Sequence, residues 1–185
     1  MRKKKTMKMK IREINQVAIS AAIITVCSWI CLPGTVPYTL QTFGVFLAAT
    51  LFGAKKSTLA VLIYILLGAV GLPVFAAGRG GLGVLMGESG GYIMAFLPAS
   101  YLCGRICENS PENKKKQLWG MALGLGICYA FGTLWAYVIY LRSGGASAFG
   151  IALGKFVLPF VLPDIAKIVL AQLVAQKLKN AIKTV

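Results

Sequence analysis

The 185-residue chain contains no histidine and only five acidic residues. Without histidine, the usual Ser-His and Cys-His pairs that activate a nucleophile cannot be built. Metal chemistry is poorly supplied as well. The cysteines show i, i+4 spacings (Cys27/Cys31, Cys103/Cys107) and no C-x-x-C, so a zinc site is not expected and small buried apolar side chains are the plainer reading. The stretch "GRGGLG" (78–83) matches a Gly-x-Gly-x-x-Gly pattern but lacks a strand-turn-helix setting. No Gly-Lys-Ser/Thr motif accompanies it, so neither ATP nor another cofactor is expected to bind. Charge is also scarce. Only 14% of residues are charged, against about 25% in ordinary globular domains.

What the chain has instead is apolar surface. Hydrophobic residues make up 57% of it, too many to cover with five acids and twenty bases in a soluble domain, so the surplus belongs in lipid. Apolar segments fall near 14–32, 40–54, 57–72, 89–107, 118–141 and 147–176. This predicts an all-α membrane protein of six transmembrane helices, although the second and third segments are short against the ~20 residues that a bilayer requires. The N-terminal stretch could instead be a secretory signal peptide, but its apolar run is long for one and lacks a clear A-x-A site.

The net charge of +15 raises nucleic acid as a partner, yet no aromatic residues interleave the basic runs as a stacking platform would need. The bases lie between the apolar segments. Seven of the twenty occupy the first twelve residues, and others form Lys55–Lys56, Arg105 with Lys114–Lys116, and Lys177, Lys179 and Lys183. With both termini cytoplasmic, only Arg79 and Arg142 fall outside and Lys155 and Lys167 fall within the last span. The positive-inside rule asks for that asymmetry. The expected organisation is a basic cytoplasmic segment (1–12), one six-helix domain (13–178) and a basic tail (179–185). The polar stretch "ENSPENKKKQ" (108–117) is the one candidate hinge.

Three stretches carry chemistry. In "VLPDIAKIVLAQ" (161–172), Asp164 and Lys167 stand at i, i+3 inside an apolar run. Ionisable residues within a span are costly and usually paired and functional, so this pair neutralises itself while offering acceptor and donor atoms to a ligand; a purely structural pair is the alternative. Pro159 and Pro163 favour a site, because a helix break frees carbonyls. In "GLPVFAAGRGGLGVLMGESGGY" (71–92), seven glycines between 78 and 91 suggest a compact outer loop between helices 3 and 4 that approaches a ligand through its backbone. Its sole cation, Arg79, suits a carboxylate gripped by two hydrogen bonds; a solvated or headgroup-facing arginine is the alternative. In "PGTVPYTLQTFG" (33–44), Thr39, Gln41 and Thr42 read equally as a helix start or as ligand contacts.

The run from "VPYTLQTFG" through "GLPVFAAGRGGLG" to "ESGGY", with "LPDIAK" near the end, resembles the BioY family across about residues 13–175. Members are biotin-specific membrane subunits (S components) of energy-coupling factor transporters. The resemblance implies a six-helix protein of the prokaryotic cell membrane that takes biotin from outside and delivers it with a transmembrane T component and two ATP-binding cassette ATPases, which hydrolyse the ATP. Biotin's ureido ring would then face Asp164 and Lys167 and its valerate carboxylate Arg79. Phe75 and Leu82 would cover the rings and tail, with Tyr92 and Gln41 as further contacts. Gly78, Gly80 and Gly81 would form the gating loop. Ala18 and Ala22, a small-x-x-x-small pair, would dock on the T component, internal packing being the plainer reading. The chain departs from the family at Glu88 and Ser89, often Pro-Thr, and at Ile93, where some members are basic. The carboxylate clamp is accordingly expected at Arg79, with Glu88 as its ligand-free partner. Rival readings are an S component for another vitamin, a partner-independent secondary transporter, or a membrane enzyme using Asp164 as general base.

Overall fold

The structure, a computed structural model, describes residues 10–32, 37–142 and 148–183. Arg2, Lys3, Lys4, Lys5 and Lys8 of the expected basic segment lie outside the described residues, as do Pro33 to Val36 and the end of the tail. Helix α1 (Ile11–Trp29) begins where Glu13 accepts the backbone N–H of Lys10 at 3.0 Å, so a first-turn carboxylate satisfies one of the donors that a helix start leaves free. A short antiparallel ribbon follows. It pairs β1 (Cys31–Leu32), which the hydrophobic pattern had placed at the end of the first segment, with β2 (Tyr38–Thr39).

Helix α2 (Gln41–Ala69) is formally continuous for 29 residues but breaks at Gly53, whose φ of +78° suits glycine and costs other residues. The break is a reversal. Gln41 Nε2 donates to Tyr64 Oη, a pair that a straight helix would hold about 35 Å apart at 1.5 Å per residue. The two arms, 41–52 and 54–69, therefore lie side by side. Glu108 caps the second arm, accepting the Ala54 N–H at 3.1 Å, and Gly104 lets the turn sit directly on the helix that carries both residues, since a Cβ there would fall 2.5 Å from Ala54 N. The expected pair of short segments, 40–54 and 57–72, is thus found, with a reversal at the single residue Gly53 between the arms.

The outer loop is more ordered than its glycines suggested. It contains a 3₁₀ turn (Ala76–Gly78) and a one-turn helix α3 (Leu82–Met86). Helices α4 (Gly90–Asn109) and α5 (Lys114–Arg142) pack along their lengths. Their link, the candidate hinge, is tied down instead: Gln117 Nε2 donates to the carbonyls of Ser110 and Pro111 at 3.0 and 2.7 Å. The expected sixth span is two helices, α6 (Ala148–Phe156) and α7 (Val161–Lys183), meeting at 46° across Pro159. Pro163 lies in the first turn of α7, where a missing N–H costs least.

A core of Ile24, Phe46, Tyr64, Phe75, Phe96 and Met121 is fully or almost fully buried, while large apolar side chains such as Trp119, Leu134 and Leu162 are exposed. Among the described residues, α2 and α5 are long and apolar enough to cross a membrane, or three spans if the bent α6–α7 pair counts as one. For α2 that length is deceptive. Folded at Gly53, its arms are about 18 and 24 Å long, short of a ~30 Å hydrocarbon core unless the bilayer thins or the turn enters it.

Candidate functional site

A cavity of about 110 Å³ opens where α2, the outer loop, α4, α5 and the α6–α7 break converge. Its polar end is built on the first turn of α7. Asp164, 4% exposed, is placed there by the helix start, where the helix dipole favours an anion. Three side chains from three elements hold it. Lys167, one turn on, donates to Oδ1 at 2.8 Å, Thr42 of α2 donates to the same oxygen at 3.1 Å, and Tyr129 of α5 donates to Oδ2 at 2.7 Å. A carboxylate has about four acceptor positions. One therefore stays free on Oδ2, and the Lys167 ammonium keeps two of its three donors uncommitted to Asp164.

The walls are apolar. Phe75, fully buried, stacks edge-on against Tyr64 with centroids 5.4 Å apart; Gly68 makes room for it, because a Cβ there would come 2.0 Å from the Phe75 ring. Tyr92 stacks on Phe156 at 5.5 Å, and its hydroxyl shares a hydrogen bond of 3.0 Å with Thr133. Phe160, stacked on Tyr38 at 4.4 Å, closes the side at the helix break. Gln41 lines the cavity with its amide already engaged, accepting from Thr39 at 3.3 Å and donating to Tyr64.

Arg79 stands at the rim, exposed, with Nε donating to the Ala76 carbonyl at 3.2 Å. Its backbone carbonyl accepts from Phe75 N at 2.9 Å, so one short bridge fixes both the rim cation and the buried ring. Gly78 and Gly81 take positive φ in this loop and Gly80 presses on the Leu72 carbonyl. The loop root is fastened to α1. Ser28 donates to the Val74 carbonyl and Trp29 Nε1 to that of Pro73 at 2.7 Å.

Asp164, Lys167, Gln41, Phe75, Tyr92 and Arg79 thus all line one cavity, as do Thr39 and Thr42. Two expectations are corrected. Leu82 is 61% exposed and does not line the cavity; Val84 does. Glu88 does not pair with Arg79. Its carboxylate meets Lys155 Nζ at 2.7 Å, because the α6–α7 break brings α6 back over the loop; the same ammonium donates to Tyr140 at 3.0 Å. That hydrogen bond holds the Glu88 carboxyl below its usual range. Ala18 and Ala22 are exposed on α1. Tyr129, Cys128, Phe156 and Phe160 escaped the sequence reading. Each sits in an apolar run whose pattern does not say which side faces a cavity. Among the described residues, no group of three or more His, Cys, Asp or Glu could hold a metal.

A sequence model of the BioY family matches residues 1–184. Among similar proteins is the biotin transporter BioY of Thermotoga maritima, 42% identical over 91% of this chain and 96% of its own. The probable biotin transporter BioY of Pyrococcus horikoshii is 38% identical over 93% and 99%. In fold, the chain resembles a crystal structure of the S component for biotin from an ECF-type ABC transporter, with a TM-score of 0.78, 24% identity and 92% of both chains covered.

Proposed function

Because the chain belongs to the BioY family, we propose that it is the biotin-capturing membrane subunit of an ECF-type importer. The observation that carries this reading is the buried Asp164–Lys167 pair at the closed end of an apolar cavity whose rim bears a cation. Biotin presents the complementary pattern. Its ureido ring offers two N–H donors and a carbonyl acceptor, which match the free position on Asp164 and the spare donors of Lys167. Its fused rings and aliphatic tail suit Phe75, Tyr92 and Phe156, and its valerate carboxylate suits Arg79. No cofactor is needed for binding.

The chain then crosses the membrane six times, as α1, the two arms of α2, α4, α5 and the bent α6–α7 pair. The contact between Ala54 and Glu108 supports this topology: it sets the Lys55–Lys56 turn beside Arg105 and the α4–α5 link, gathering the bases at one end, opposite Arg79. That end is cytoplasmic, in the plasma membrane of a prokaryotic cell. A T component docks on the exposed Ala18–Ala22 face, two ATPases supply the energy, and the loop around Gly78, Gly80 and Gly81 opens to admit biotin.

Titration calorimetry of the detergent-purified protein with biotin tests the reading. Tight binding is expected in the wild type and its loss in both Asp164→Asn and Lys167→Met, since each variant removes a charged group that the ureido ring would meet and leaves a ligand polar atom buried without its partner. Folded wild-type protein that ignores biotin but binds another vitamin would overturn it.

A further inference from the structure

Asp164 is the only aspartate in the chain, and its outer oxygen, Oδ2, has one protein donor among the described residues. That donor, Tyr129 Oη at 2.7 Å, belongs to neither the α7 ion pair nor the outer loop. Two contacts on Oδ1, from Lys167 and Thr42, would hold one oxygen while leaving the carboxylate plane free to tilt about it. The third contact, on the second oxygen, fixes that plane. The Tyr129 ring has a separate task. It lines the site cavity on one side and, on the other, an open apolar groove between α5 and α6 formed with Thr133, Tyr137, Phe149 and Leu153. Among the described residues, no other lines both. The ring is the partition, and it sets where the hydroxyl can point.

We infer that Tyr129 is the positioning residue of this site: it orients Asp164 so that the one free acceptor position on Oδ2 faces the cavity, where it takes a single ring N–H of the ligand. The second N–H of a cyclic urea is then read elsewhere. This rests on the reading of the cavity as the biotin site, but the orientation itself is a property of the ligand-free protein. Hydrogen bonds to charged groups are among the stronger ones in proteins, so loss of the hydroxyl is expected to weaken binding roughly tenfold or more.

The variant is Tyr129→Phe, which keeps the partition and removes only the donor. Because Asp164 is the sole aspartate, labelling with side-chain ¹³C-aspartate isolates its carboxylate stretch in the infrared. Two shifts are expected: the labelled band moves in ligand-free Tyr129→Phe, and biotin affinity falls at least about tenfold while Tyr137→Phe, on the groove side only, binds as the wild type does. An unmoved band overturns the inference, and so does an affinity within about twofold of wild type. If wild-type protein does not bind biotin at all, the biotin reading falls and the infrared band alone decides: a shift sustains the orientation of Asp164 by Tyr129, and no shift refutes it.

Discussion

Ser28→Ala is expected to speed the release of bound biotin between about fivefold and thirtyfold. Ser28 is fully buried on α1, and its single O–H lies within hydrogen-bond distance of both the Thr25 carbonyl one turn back and the Val74 carbonyl at the root of the outer loop, the latter being the closer contact. Val74 itself is 8% exposed and leads directly into Phe75, the ring that packs under Gly68 against the cavity. When the loop lifts, the Val74 carbonyl reaches water and loses nothing by the mutation. When it is closed, the mutant leaves that carbonyl buried without its donor, which costs about 1–2 kcal/mol. The penalty therefore falls on the closed state alone, and at 1.4 kcal/mol per factor of ten it becomes the rate factor given above.

The assay is a chase of labelled biotin from protein in detergent or nanodiscs, with thermal unfolding of the ligand-free variant measured beside it. Trp29→Phe, which removes the exposed donor to Pro73, is expected to act in the same direction but less, because water replaces an exposed partner cheaply. Dissociation within twofold of wild type, together with a lowered unfolding temperature, would refute the reasoning: Ser28 would then stabilise the fold in the open and closed states alike.

The strap from Glu88 to Lys155 should make loop closure acid-sensitive. Since the Glu88 pKa is lowered from 4.5 by the Lys155 hydrogen bond, its contribution is fully present above that value and is lost as pH falls through the lowered one. Biotin release should be flat from about pH 7 to 5 and accelerate below 4.5, while Glu88→Gln is already fast at pH 7 and keeps only the acid dependence of biotin's own valerate carboxylate at Arg79; parallel profiles for the two proteins would rule the strap out. On the far face of α1, replacing both Ala18 and Ala22 by Leu should abolish co-purification with the T component and leave biotin affinity within about twofold, because neither residue touches the cavity. Undiminished assembly would return that face to ordinary lipid contact.

How much of this was legible in the sequence depended on whether a residue contrasts with its surroundings. Asp164 and Lys167 are charges in an aliphatic run, and Arg79 is a lone cation among glycines, so cost and isolation marked them before any geometry was known. Tyr129, Phe156 and Phe160 carry no such contrast, because apolar residues on a lipid-facing helix are unremarked on every side. Segment lengths revealed two short arms at 40–54 and 57–72. Their reversal at one residue depends on Glu108, 54 positions downstream of the N–H it accepts, and no local pattern contains that partner. Glu88 failed for the same reason. Its neighbour in sequence is Arg79, but the bend after Phe156 delivers Lys155 from 67 residues away.

The buried pair also bears on why the site is where it is. Replacing a buried ion pair with apolar residues of like volume is often neutral or stabilising, so α7 does not need Asp164 and Lys167 in order to fold. The surrounding contacts make sense only if the charges are to be used. Thr42 and Tyr129, from α2 and α5, both aim at one carboxylate that Lys167 already neutralises. Together these donors fix the Asp164 carboxyl in a low-dielectric setting, where a ligand N–H gains more from it than it would in water. The pair leaves no net charge for the ligand to cancel, so a neutral polar ring can enter without a counter-ion. A ligand carrying its own charge at that end would meet a site already balanced, and among the described residues the cavity's other cation is at the rim, 85 residues earlier in the chain at Arg79.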